Sequence, residues 1–162
     1  MLKQELVHFS LFQGLSDDQL CLLDPLLEYC CFPAGTTVFE QGAPADSLYI
    51  LLVGTVEVIY KPYDGPALTV AKINSGGVFG WSAALGRDVY TSAALTEESV
   101  EVYRLKGEKL HYLCEQYPET GVVILERLAS IIAERLSSTH DQIFAVLQSG
   151  MDRCDTPGRS KK

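Results

Sequence analysis

Ser47-Leu48-Tyr49-Ile50-Leu51-Leu52-Val53-Gly54-Thr55-Val56-Glu57-Val58-Ile59-Tyr60 is the stretch on which the fold turns. Two runs of β-branched, aromatic and leucine residues flank one glycine, the composition of two strands joined by a tight hairpin at Gly54. The pattern continues on both sides. Glycines recur at positions 35, 42, 65, 76, 77, 80 and 86 and separate further strand-like segments over 37–39, 68–73, 91–95 and 100–105. Tyr63-Asp64-Gly65-Pro66 marks a second hairpin. Short strands punctuated by turn residues predict an antiparallel β-barrel or sandwich over about 29–105.

Helical patterns lie outside this block. Residues 1–28 read as helical, with Ser16 and Gln19 spaced as a capping box, Leu15 and Leu20 as its staple, and Pro25 placed to kink or split the helix near Asp24. Lys109 to Gln116 reads as a short helix, and Pro118 opens a longer one that runs to about Gln148. Along it Val122, Leu125, Ala129, Ile132, Leu136, Thr139, Ile143 and Val146 alternate spacings of three and four, an a/d seam that calls for a partner helix. Glu126, Arg127, Glu134, Arg135 and Asp141 lie off it. The expected domain spans 1–148, with 149–162 as a polar tail, and the class is α+β.

The whole chain has 162 residues, 47% apolar and 21% charged, with a net charge of −8. That is globular composition. Its acidity argues against a DNA-binding surface and against anionic lipid, both of which need clustered Lys and Arg. No apolar run approaches the roughly 20 residues of a membrane span, and the first residues lack a signal-peptide layout, so a cytoplasmic protein is expected. The five cysteines, at positions 21, 30, 31, 114 and 154, form no C-x-x-C and read as small buried hydrophobes, with a thiol sensor as the alternative. No metal site, haem ligation or catalytic motif is evident, and His8, His111 and His140 have no nucleophile or carboxylate partner in pattern. An enzyme is not expected.

Helices, a glycine-punctuated barrel and a long helix, in that order, resemble the cyclic-nucleotide-binding domain family of the catabolite activator proteins. Phe32-Pro33-Ala34-Gly35-Thr36-Thr37-Val38-Phe39 with Gln41-Gly42 looks like the family's first barrel turn. Ala45 to Leu51 and Gly54 to Val58 look like its central hairpin, and Gly76-Gly77-Val78-Phe79-Gly80 like the opening of its phosphate-binding cassette. The resemblance covers about residues 6–148 and implies a jelly-roll barrel.

A glycine-rich turn lets backbone approach a ligand, and a short helix after it, over about 82–85, would offer N–H groups to a phosphate. The resemblance further implies an acidic residue directly after Phe-Gly to bind the ribose, and an Arg about ten positions later to pair with the cyclic phosphate. Here Trp81 and Thr91 stand at those places. A Thr hydroxyl cannot replace a two-pronged guanidinium. Losing such a charged hydrogen bond costs roughly 1.5–3 kcal/mol, so cAMP is expected to bind weakly or not at all. Phe79-Gly80-Trp81-Ser82-Ala83 resembles a recurring pattern of bacterial members that lack both groups. The candidate ligand-binding residues are Gly80, Trp81, Ser82, Ala83, Thr91, Ser92 and, on the long helix where the family meets the purine, Thr139. Trp81 reads either as a stacking surface or as a filler of the pocket, and Arg87 either as an anion contact or as a solvated loop charge.

Two functions follow. One is a stand-alone regulatory or sensor module that holds a small ligand, a cyclic nucleotide or related anion, and signals through a homodimer built on Leu125, Ala129, Ile132, Leu136, Thr139 and Ile143 to an unidentified downstream protein. The other is a ligand-free dimeric scaffold of the same fold. No cofactor is expected. A transcription factor would need a helix-turn-helix after the long helix, and the chain stops about fourteen residues past it.

Overall fold

The structure, a computed structural model, describes residues 5–137. The chain divides into two compact units, 1–131 and 132–162. In the second unit residues 132–137 are described, and they are helical.

The first unit opens with a 3-10 turn at Ser10–Phe12 and helix α1 at Asp17–Leu23. The capping box forms as expected: the Ser16 hydroxyl accepts from the Gln19 N–H, and the Gln19 side chain accepts from the Ser16 N–H. The chain is not helical to residue 28. Asp24–Leu26 tighten into a 3-10 turn with Pro25 at its start, and strand β1 begins at Leu27, where the backbone finds a sheet partner in Leu105.

Eight strands follow: β1 (Leu27–Phe32), β2 (Thr37–Phe39), β3 (Ser47–Val53), β4 (Val56–Tyr60), β5 (Leu68–Ile73), β6 (Val78–Phe79), β7 (Ala93–Thr96) and β8 (Val100–Lys106). They form two four-stranded antiparallel sheets, ordered β1-β8-β3-β6 and β2-β7-β4-β5. This is the expected jelly-roll class, built as two sheets rather than one closed barrel. The Tyr63–Pro66 turn joins β4 and β5, which pair from Val56↔Ile73 to Tyr60↔Leu68.

Gly54 is not a hairpin. It stands between β3 and β4, which lie in different sheets, so the chain crosses from one layer to the other there. A Cβ on Gly54 would meet Val100 Cγ1 at 2.7 Å and the Ser99 carbonyl oxygen at 2.8 Å, and its φ is +104°. Strands β1 and β6 were not among the segments singled out in the sequence.

Tyr49, Leu51, Val56, Ile73, Phe79, Ala94, Val100 and Val102 come from both sheets and pack into one cluster between them. Leu48 and Ile50 alternate with Tyr49 and Leu51 along β3 yet are also fully buried, so β3 is covered on both faces. On that second side the Tyr103 hydroxyl, opposite Ile50, donates to Glu5 Oε2 at 2.9 Å. Helix α2 spans Gly107–Gln116, and helix α3 covers 118–137 of the longer helix expected. Ile124 and Leu128 of α3 are buried, Gly121 lies against Cys114 of α2, and the Arg127 Nε–H donates to the Gln13 carbonyl at 3.0 Å. The cysteines are not uniformly buried: Cys21 and Cys31 are exposed, Cys30 and Cys114 half-buried.

Candidate functional site

The candidate site is the cassette, residues 80–92, strung between β6 and β7. It starts at Gly80, whose φ is +77°, a left-handed conformation that disfavours side chains. Space is short there as well. A Cβ would lie 3.0 Å from the Ser47 carbonyl oxygen, 3.2 Å from Tyr49 Cδ2 and 3.3 Å from Phe39 Cε2.

Residues 81–86 form consecutive turns rather than the short helix expected over 82–85. The Ala84 N–H donates to the Trp81 carbonyl at 2.9 Å, the Leu85 N–H to the same oxygen at 3.1 Å, and the Arg87 N–H to the Ser82 carbonyl at 3.0 Å. The Ala83 N–H is also used, on the Gly80 carbonyl at 3.3 Å. Four N–H groups of the segment are therefore bonded within it.

Ser82, Ala83 and Ala84 are buried, and the Ala83 carbonyl backs onto Gly107 at the start of α2, where a Cβ would come within 2.7 Å of its oxygen. The Gly107 N–H donates to the Asp46 carbonyl at 2.8 Å. Among the predicted ligand residues, Trp81 and Ser92 are half-buried and Thr91 is exposed. Gly80 to Ala83 are consecutive, and Thr91 and Ser92 stand just before β7. Thr139 and Ile143 lie outside the described residues. Arg87 is exposed and lines a cleft of about 440 Å³ with Asp46, Lys106, Glu108 and His111. The His111 imidazole Nε2 is 3.2 Å from the Ala84 carbonyl oxygen. Two carboxylates beside Arg87 and Lys106 leave that cleft without an excess of positive charge.

One residue that the sequence reading passed over anchors the end of the cassette. Tyr90 is 3% exposed. Its hydroxyl donates to the Ser47 carbonyl at 2.6 Å and accepts from the Ser47 N–H at 3.0 Å. Its ring stacks on Phe39 with centroids 3.7 Å apart. Phe39 stacks in turn near Tyr49 and Phe79, and Phe32 meets Tyr49 edge-on, so aromatic rings fill the space beside Gly80. Burial raises the Tyr90 hydroxyl well above the usual phenol range, against the lowering effect of the Ser47 backbone. Tyr49 is raised too, by burial first and then by the Asp46 carboxylate. The available signal for Tyr90 was a bulky aromatic directly before Thr91, outside any periodic segment.

On α3, Ile124 and Leu128 are 0% and 1% exposed, whereas Val122, Leu125 and Leu136 of the predicted seam are 54%, 40% and 63% exposed. Ala129 is exposed and Ile132 half-buried. Among the described residues no helix is long and apolar enough to cross a membrane, and no group of His, Cys, Asp or Glu could hold a metal ion.

Comparison with known proteins agrees with this architecture. A CRP-like cAMP-activated global transcriptional regulator of Mycobacterium tuberculosis is 28% identical over 157 residues, covering 97% of this chain and 66% of the relative. The potassium channel AKT2 of rice is 30% identical over 116 residues, 72% of this chain and 14% of the channel. The chain thus spans less than two thirds of the length of these curated relatives. Among solved structures, a putative cyclic nucleotide-binding protein from Geobacter metallireducens superimposes with a TM-score of 0.75 at 29% identity, covering 84% of this chain and 98% of that one. A cyclic nucleotide-binding domain from Methylobacillus flagellatus superimposes with a TM-score of 0.81 at 20% identity, covering 89% and 83%. The cyclic nucleotide-binding domain family matches residues 30–117, from β1 through the cassette to the end of α2, and the chain belongs to that family.

Proposed function

We propose that the chain is a regulatory module that takes a small anionic ligand, a cyclic nucleotide or related anion, at the cassette and signals through a homodimer formed along its C-terminal helix. The observation that carries the reading is the division of α3 into two apolar faces. One, with Ile124 and Leu128, is consumed by packing within the first unit; the other, with Val122, Leu125 and Ala129, stays exposed. An apolar stripe of that spacing is covered by a second copy of itself. The mycobacterial relative, described as cAMP-activated, supports ligand control in this family. Trp81 and Thr91 argue that cAMP itself binds weakly. The downstream partner is a protein rather than DNA or a membrane, given a net charge of −8.

Light scattering at tens of micromolar should report twice the mass of one chain. Ile132→Asp should shift it to monomer, since two facing carboxylates in an apolar seam are costly. A monomeric wild type, or a dimeric Ile132→Asp protein, sinks the dimer.

A second reading, a ligand-free dimeric scaffold, draws on the aromatic rings that fill the space beside Gly80. Titration calorimetry with cyclic mono- and dinucleotides decides between the two. Heat that saturates with one of them supports the sensor; none with any of them supports the scaffold.

A further inference from the structure

Strand β6 ends at Phe79, opposite Tyr49 of β3, and at Gly80 the chain turns away. Two residues back along β3, the N–H and carbonyl of Ser47 have no β6 residue opposite them, although Ser47 is buried. The far end of the cassette returns to this spot, and the Tyr90 hydroxyl takes up both groups, donating to the carbonyl at 2.6 Å and accepting from the N–H at 3.0 Å. A side chain does there what the missing strand would have done.

Both ends of segment 80–90 therefore meet on the same two residues. Gly80 sits against the Ser47 carbonyl and Phe39, and Tyr90 is bonded to Ser47 and stacked on Phe39. The neighbouring backbone reinforces the closure. The Tyr90 N–H donates to the Ala43 carbonyl, the Gly42 N–H to the Tyr90 carbonyl and the Ala45 N–H to the Asp88 carbonyl, each at 2.9 Å, and Pro44 bridges to Val89.

We propose that Tyr90 is a latch that holds the cassette closed on β3 without any ligand. The inference goes beyond either functional reading and does not depend on the choice between them. In a sensor, a latched cassette spends no binding energy on its own ordering. In a scaffold, it presents one fixed surface.

Native-state hydrogen exchange on the full chain tests it. In the wild type, the amides of Gly42, Ala45 and Tyr90 should exchange within about tenfold of those of β8, opening only when the sheet opens. Tyr90→Phe keeps the ring on Phe39 and removes only the hydroxyl. It should speed exchange of those three amides at least tenfold while those amides of the β4–β5 pair that open without global unfolding change far less. Three results overturn the latch: wild-type cassette amides that exchange hundreds of times faster than β8, Tyr90→Phe amides that do not change, or an equal rise everywhere, which would make Tyr90 an ordinary core residue. The wild-type measurement stands by itself if the variant fails to fold.

Discussion

Residues 76–80, which lead into the cassette, and residues 90–92, which lead out of it, are held by different means. The way in is shaped by glycine and backbone bonds around two buried side chains, Val78 and Phe79: Gly76 and Gly80 have positive φ, the Gly76 N–H donates to the Leu51 carbonyl at 2.7 Å and the Leu51 N–H to the Gly77 carbonyl at 2.9 Å. The way out adds a side-chain anchor to its backbone bonds: the Tyr90 N–H and carbonyl bond Ala43 and Gly42, and the Tyr90 hydroxyl takes up both Ser47 main-chain groups; Thr91 follows, where the family resemblance would place the phosphate-binding Arg. On the proposed reading, the family's shape is kept where it is a matter of glycine and hydrogen bonds, while Trp81 and Thr91 stand where the resemblance implies an acid and an Arg. On that reading, the turn and the ligand contacts are specified by different residues and can be lost separately.

The largest effect should come from breaking the way in. Gly80→Val asks a β-branched residue to take φ +77° with its Cβ near 3.0 Å from the Ser47 carbonyl oxygen. Left-handed strain and overpacking together predict a loss of about 3–5 kcal/mol, read as a lower urea midpoint with an unchanged slope. A loss under about 1 kcal/mol would mean that the turn can re-form elsewhere and that the way in is no more rigid than an ordinary loop.

Much of this architecture was legible from local signals. The capping box at Ser16 and the turn at Tyr63–Pro66 involve residues a few positions apart, so their chemistry is written in adjacent letters. Gly54 was misread for the converse reason. Whether two consecutive strands pair or part company depends on remote partners, here Leu51 with Val102 and Val56 with Thr96, which no local pattern displays. β6 is two residues long, too short for any alternation to show. On α3 the exposed seam was visible as a heptad, but the stripe of Ile124 and Leu128 that faces inward was not recognised beside it. The cassette was located by its glycines, whereas Tyr90, which fastens it, acts through contacts with residue 47 and residue 39 that sequence distance hides.

Supplying the two side chains that the resemblance implies should have the next largest effect. Trp81→Glu combined with Thr91→Arg places a carboxylate and a guanidinium where the family resemblance implies the ribose acceptor and the phosphate-binding Arg. Titration calorimetry should then show cAMP affinity raised at least tenfold, or about 1.4 kcal/mol. No gain would place the obstacle in the aromatic filling around Phe39 and Tyr90 rather than in the missing ligands, and would erase the contrast between a preserved shape and a lost chemistry.

The smallest effect should come from trimming the way out. Thr91 is exposed, precedes β7 rather than belonging to it, and makes no hydrogen bond among the described residues. Thr91→Ala removes a hydroxyl and a methyl that are open to solvent, with no buried group left unpaired, so the urea midpoint should correspond to a change within about 0.5 kcal/mol. Tyr90, its neighbour in sequence, supplies the control: Tyr90→Phe leaves the buried Ser47 N–H and carbonyl without their partner and should cost about 1–3 kcal/mol in the same assay. The two residues are adjacent, share the same stretch of backbone and differ in what they touch. If Thr91→Ala cost as much as Tyr90→Phe, the Tyr90 hydroxyl would hold no special share of the anchoring of 90–92, and the contrast between the two ends of the cassette would fail.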